Sequence, residues 1–455
     1  MDSIHPEARR NINERALALL ETFRRYKPPP TGKPKFPSER IPAAVLADDD
    51  FIDVRILTVA DPYGRTLAKF YHHGSAMVGL KEEDYPDLSK IVGALQKVAA
   101  LRNRLSETFL EDHVFLWCRG RLRDGYTGTL IDYLEMQISA DVHPRTVWAP
   151  ISSLEVEHEF TIGDSRICPI TAQFLNDLEL RSEGAVAPED REHSRAYFQS
   201  LRQKMQGHAA VVVETDAEPV RAFELAMAKA EAAIGILRLF SQAALDPGLI
   251  CPCALLGTEH LPIARAVLVA NGQFAGARSQ SASKSMGHWR LDADLIREIK
   301  GAGLDDTAAL IKLQKPTAFQ TVVLASHLRY SKSTMVDDLG DRLVYMLTAL
   351  ESLYLKDGSE QIGQNLGERL AFTTAHTADE REKVIRNVKA IYKFRSNYLH
   401  HGATISERHE IGDFMMTAYN GLEVARRNNE NFPSVEEFCS AVDRYKLGGV
   451  RPFRG

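Results

Sequence analysis

Cysteine is scarce in this 455-residue chain: there are five, at positions 118, 168, 251, 253 and 439. An odd number of scattered cysteines excludes a disulfide framework. Cys251-Pro-Cys253 is the one close pair, and without a second pair nearby it does not complete a zinc site. Long apolar runs are also missing. None approaches the ~20 residues that cross a bilayer. The opening "MDSIHPEARRNINERALALL" is polar and charged and lacks the apolar stretch of a signal peptide. A cytoplasmic protein with no membrane partner is expected. No phosphate-binding Walker loop, dinucleotide fingerprint or metal-ligand cluster occurs, so neither cofactor nor metal is expected. Positive charge is not in excess: 56 Lys and Arg face 61 Asp and Glu, a net −5. That excludes a uniformly basic surface but not a local nucleic-acid site, which depends on clustering.

What is present is an ordinary globular balance, 44% hydrophobic and 26% charged. The length predicts two or three domains. Residues 6–26 have an amphipathic helical pattern with Ile12, Ala16, Leu19, Leu20 and Phe23 on one face. The proline-rich "YKPPPTGKPKFPSERIP" ends it as a linker. From about residue 50 the period shortens to two. "DVRILTV" alternates, as does "LEVEHEFTIG", where Leu154, Val156, His158, Phe160 and Ile162 share a face. "HVFLWC", "TLIDYLEMQI", "RTVWAPI" and "HAAVVVE" read as further strands, with a helix near 87–107. "GQFAGARSQSASKSMG" reads as an exposed loop. After Pro316 six helices follow. The expected fold class is α+β: a β-rich N-terminal region, then an all-α helical bundle. The expected divisions are an N-terminal helix and linker over 1–45, the β-rich α+β domain over 46–316, the bundle over 317–445 and a tail over 446–455.

The fourth of these helices carries the residues of interest. Thr377 with Glu380 forms a capping-box pattern, and Gly402 stops the helix. Val384, Val388, Ile391, Arg395 and Tyr398 are spaced four, three, four and three apart, one helical face with an arginine in an apolar slot. A buried lone charge costs several kcal/mol unless partnered. Arg395 therefore has a partner or lines a surface that an anion enters, and its planar fork suits carboxylate or phosphate. Glu351, on the edge of the second helix, is the natural structural partner; Asp337 and Asp338 are weaker ones. His400 and His401 crowd the last turn. An imidazole there can cap the helix or act as acid and base near neutral pH. Arg395 and His400 lie five apart, about 140° around a helix. Similar Arg–His spacings at Arg65/His72, Arg202/His208 and Arg369/His376 lack the long capped helix and glycine stop.

"LTALESLYL", "GERLAFTTA" and "AIYKFRSNYLHHG", in that order, resemble the HEPN superfamily, in particular its Apea-like branch, over about 317–445. The resemblance implies a helical bundle that pairs into a homodimer through its C-terminal helices. It also implies an endoribonuclease that cleaves RNA without a metal ion. Carried over, Arg395 and His400 are the catalytic pair, with His401, Asn397 and Ser396 as possible catalytic or substrate-contacting residues and Glu351 as a structural partner. The family histidine usually precedes the glycine directly, whereas here His401 intervenes; counting from the arginine selects His400. The N-terminal region would sense an unidentified trigger, as in bacterial antiphage defence or toxin-like growth arrest. The alternative is a non-catalytic HEPN module for dimerisation or RNA binding.

Overall fold

The computed structural model describes residues 4–26, 56–73, 76–184, 186–258, 263–270, 273–281, 284–285 and 288–453. The proline-rich linker expected after Tyr26 and the "HHG" string at 72–74 lie wholly or partly outside them. The chain is mixed, 61% helical, with strands in its N-terminal part and helices in its C-terminal part. It divides into two compact units: Met1–Arg145 with Thr215–Leu225, and Thr146–Glu214 with Ala226–Gly455. These limits differ from the boundaries at 46 and 317 read from the sequence.

The first unit contains α1 (Pro6–Thr22), β1 (Arg24–Tyr26), β2 (Ile56–Ala60), β3 (Thr66–His73) and β4 (Ala76–Leu80). They are followed by α2 (Tyr85–Gln96), α3 (Ala99–Arg102), α4 (Glu107–Leu122) and α5 (Leu130–Asp141). The strands form an antiparallel sheet in the order β1-β4-β3-β2. Ile12, Ala16 and Leu19 of α1 share one core with Leu88, Leu110, Phe115 and Leu134, so the N-terminal helix is part of this unit and not a separate arm. The strands expected at "HVFLWC" and "TLIDYLEMQI" are instead α4 and α5. Ser106 caps α4 by accepting from the Phe109 amide, and the buried positions 110, 114, 117 and 118 have helical spacing. Thr129 and Asp132 make a capping box for α5, and the apparent alternation breaks because Met136 is exposed while Leu130, Ile131 and Leu134 are buried. The N-terminal part is therefore strand-containing but largely helical, not β-rich. The distant segment at 215–225 returns to this unit through Glu218, which is 2% exposed. Its carboxylate accepts from the amides of Ser106, Val220 and Arg221.

Elements continue with β5 (His143–Ser152), β6 (Leu154–Val156), β7 (Phe160–Ile162), β8 (Ser165–Pro169), α6 (Ala172–Glu183), α7 (Arg191–Met205), β9 (Ala209–Ala217) and α8 (Pro219–Leu239). Next come β10 (Leu249–Ile250), β11 (Ala254–Leu255), β12 (Ile263–Ala270), β13 (Gln273–Ser281), β14 (Lys284–Ser285) and β15 (Trp289–Leu291). A five-stranded sheet runs in the order β11-β5-β9-β8-β7. The segment 154–162 is not one strand: it turns between β6 and β7, leaving His158 exposed. The expected loop at 272–287 is largely β13, paired antiparallel with β12. All five cysteines are free and buried.

The C-terminal helices are α9 (Ala293–Gly301), α10 (Leu304–Lys312), α11 (Ala318–Ser333), α12 (Leu339–Tyr354), α13 (Ile362–Thr374), α14 (Ala378–His401), α15 (Arg408–Arg427) and α16 (Val435–Lys446). Six of them match the expected set from 317 onward. Leu343, Met346, Leu350, Leu366, Leu370, Val388, Ile391, Phe414 and Phe438 meet in one core, and Phe453 of the expected tail packs on Phe438. Arg369 and Arg342 are both sealed into this region. Arg369 forks onto Glu360 and Asp443 and donates to the Tyr354 carbonyl. Arg342, fully buried, reaches only carbonyls: those of Ser333, Ala243, Asp246 and Leu249.

His327 of α11 is buried. Its Nδ1 donates to the Val323 carbonyl at 2.7 Å, and Nε2 has no partner. Burial holds its pKa below the usual imidazole value; the bond to the Val323 carbonyl and then Glu423 oppose this, and Arg426 reinforces it more weakly. The folded imidazole is thus neutral where the unfolded one, near 6.5, takes a proton. Its contribution to stability is complete above about pH 6.5 and is lost as the pH falls from there toward the lower folded value. Urea midpoints measured at pH 7.5 and 5.5 should therefore differ less in His327→Gln than in the wild type. An equal pH dependence would show that His327 is not the acid-sensitive group.

Candidate functional site

Helix α14 is delimited by local chemistry. Thr377 accepts from the Glu380 amide while the Glu380 carboxylate accepts from the Thr377 amide. At the other end Gly402 has φ +63°, and the amides of Gly402 and Ala403 close on the carbonyls of Tyr398 and Asn397. A left-handed residue of this kind ends a helix at little cost only when it is glycine.

Between these ends the stripe of Val384, Val388, Ile391, Arg395 and Tyr398 packs on the chain's own helices. Val388 and Ile391 are buried in the helical core, and the Gly367 backbone of α13 approaches Val388. The arginine in the stripe thus does not require a second copy to cover it. Arg395 Nη1 lies 3.3 Å from Glu351 Oε1, with 27% of the arginine side chain exposed. The same carboxylate oxygen accepts from Tyr392 Oη at 2.9 Å. Burial and then the Glu351 charge push the Tyr392 hydroxyl well above its usual range, so it remains a donor. Arg395 Nε is buried without a partner. The guanidinium is therefore anchored at one corner and has donors to spare.

One turn on, Tyr398 donates to Asp341 Oδ1 at 2.8 Å, which raises its own pKa. Its ring lies where a Cβ on Gly340 would sit, about 2.4 Å away, so the glycine permits α12 and α14 to approach. Tyr398 belongs to the stripe read from the sequence; Tyr392 does not. Their spacing of three residues on either side of Arg395 is the signal that places them beside it. Ser396, Asn397, His400 and His401 are all exposed. Leu399, one turn beyond Arg395 on its side of the helix, is 53% exposed. The structure thus gathers Arg395, Glu351 and Tyr392, and leaves His400 and His401 in the solvent-facing last turn.

Of the rival Arg–His pairs, two have arginines engaged elsewhere. Arg369 is in the sealed carboxylate cluster above, and His376 Nδ1 lies 3.0 Å from Arg451. Arg202 pairs with Glu179 and Asn176. A cleft of about 410 Å³ beside the first half of α14 is lined by Thr374, His376, Lys383, Asn387 and Asp413 among others. It contains neither Arg395 nor His400. Among the described residues no group of His, Cys, Asp or Glu is placed to hold a metal ion, and no helix is long and apolar enough to cross a membrane.

Comparison with known proteins returned no match to a family model, a curated protein or a solved structure. The functional reading rests on the residues themselves.

Proposed function

We propose that this chain is a metal-independent endoribonuclease of the HEPN type that acts as a homodimer in the cytoplasm, in antiphage defence or toxin-like growth arrest. The observation that carries this reading is Arg395: a partly exposed guanidinium tethered at one corner by Glu351, little more than one turn from an exposed pair of histidines. One imidazole takes the proton of a ribose 2′-hydroxyl, and the freed oxygen attacks the adjacent phosphorus. Arg395 stabilises the charge on the phosphorane. The histidine of a second copy protonates the departing 5′-oxygen. The products are a 2′,3′-cyclic phosphate and a 5′-hydroxyl. His400 and Arg395 point about 140° apart on one helix, and Leu399 leaves an apolar residue exposed beside them. A second copy seated there completes the cleft.

Purified protein incubated with total RNA and excess EDTA should yield fragments ending in cyclic phosphate. His400→Ala should abolish them while leaving the fold intact, since a helix-terminal histidine contributes at most ~2 kcal/mol. Loss of activity in His401→Ala but not in His400→Ala would transfer the role to the residue next to the glycine. A non-catalytic dimerisation or RNA-binding module is the second reading, favoured by the Arg395–Glu351 bridge itself. Absence of cleavage by concentrated dimer would establish it.

A further inference from the structure

Residues 383–406, "KVIRNVKAIYKFRSNYLHHGATIS", contain no aspartate or glutamate. The chain as a whole has 61 in 455, so a stretch of this length would ordinarily hold about three. Most of it lies in α14. Arg386, Lys389, Lys393, Ser396 and His400 are spaced three, four, three and four apart, which puts them on one helical face. All five are exposed, and the face lies opposite the stripe of Val388, Ile391 and Arg395. From Arg386 to His400 it runs about 21 Å at 1.5 Å per residue.

An ordinary solvated face mixes charges of both signs and links them by i,i+4 pairs. Among the described residues the one ion pair made by this face is Arg386 with Glu382, at 3.7 Å and with both side chains about 70% exposed. A pair so exposed is weak. Cations near a helix C-terminus favour the helix dipole, but that effect fades beyond the last turn and does not account for Lys389 or Lys393. A net-negative chain has concentrated unopposed positive charge along one line that ends at the exposed histidine.

We infer that this face of α14 is a track for the phosphate backbone of single-stranded RNA, leading the strand to His400. This rests on the nuclease reading for its direction, though not for its charge. Lysines act on phosphates as point charges and carry no base readout, so the track gives affinity and register without sequence preference. Single strands suit it because a backbone free of duplex geometry can follow a straight helix and reach the in-line arrangement that 2′-hydroxyl attack needs.

The test uses the full chain and a fluorescein-labelled single-stranded oligoribonucleotide with 2′-O-methyl sugars, which cannot be cut by 2′-hydroxyl attack. Anisotropy is read across a salt series for the wild type, for Lys389→Gln/Lys393→Gln and for the control Lys312→Gln/Lys315→Gln, whose positions are also exposed. The expected result is a Kd at least ~10-fold weaker for the first variant only, with a salt slope shallower by about 1.4, at about 0.7 per lost phosphate contact. Unchanged binding, no binding by the wild type, an equal loss in the control, or competition by polyglutamate as strong as by RNA would each overturn the track. Cleavage of unmodified RNA is followed in parallel. Binding through the track without cleavage would remove the nuclease reading alone. Cleavage that persists with wild-type binding in the double variant would remove the track alone.

Discussion

Replacing Arg395 with alanine is expected to slow RNA cleavage by on the order of 10²–10³-fold, the usual effect of removing one positioned transition-state donor. The fold should survive. Arg395 is partly exposed and touches Glu351 at 3.3 Å, a contact on the scale of about 1 kcal/mol for a partly solvated pair, and Tyr392 keeps its bond to the carboxylate. Arg395→Lys separates the two roles of the residue. An ammonium keeps the charge and can still meet Glu351, but it lacks the planar fork that, on the proposed reading, would also hold the reacting phosphate. Lysine should therefore remain folded and dimeric yet cleave at least ~10-fold more slowly, a bound set below the range for full removal. Glu351→Gln supplies the complementary arm. If the pair is only structural, it should destabilise the protein about as much as Arg395→Gln. Single-turnover rates with melting curves for the four variants decide the matter. Near wild-type cleavage by the lysine variant would return the arginine to a structural role.

Arg342→Met should destabilise the protein by about 3–5 kcal/mol, near the upper end of single-residue effects. The guanidinium is fully buried and, among the described residues, makes no ion pair, with Asp246 and Asp337 acting on it only from a distance. Burial lowers its pKa to about 10, opposed by Tyr330, Asp246 and Asp337, so it stays charged at neutral pH and donates to four carbonyls. Three of these belong to the loop at 243–249, so one side chain of α12 holds that loop in place. Methionine fills much of the volume but removes the donors that reach four carbonyls in a space closed to water; the Ser333 and Asp246 carbonyls keep the amides of Val336 and Leu249. Lysine, with three donors on a single nitrogen, should recover part of the loss. Urea midpoints for wild type, Arg342→Lys and Arg342→Met, in that descending order, are the expected result. A methionine variant as stable as wild type would mean that the carbonyls find other donors.

Much of α14 was legible in advance because its determinants are local. The Thr377 and Glu380 cap, the three-four spacing of Val388, Ile391 and Arg395, and the Gly402 stop all act within one or two turns. Glu351 was legible too, as an acid on the edge of an apolar stripe. Arg342 was not: it sits among aspartates in "DDLGDRL" and reads as surface charge, while its partners are backbone carbonyls about 90 or more residues away and one near at hand. Helices α4 and α5 were misread as strands for a related reason. A short apolar run, or an alternation broken only at Met136, does not reveal its period until packing shows which side chains are covered. Comparable ambiguity hid the five-stranded sheet order, in which sequence-distant β5 and β9 lie side by side.

The return of residues 215–225 to the first unit also sets an order of events during synthesis. Arg145 leaves the ribosome about 70 residues ahead of Thr215, an interval of roughly 4–14 s at 5–20 residues per second. Throughout it the amide of Ser106 lacks the Glu218 carboxylate that it bonds in the finished molecule, and the Arg104 carbonyl lacks the Glu218 amide. The nascent N-terminal unit therefore waits, with the start of α4 unsealed, for a segment not yet translated. A pause in elongation within that window would prolong the exposure, which makes this stretch of the message a place where codon choice bears on the yield of folded protein.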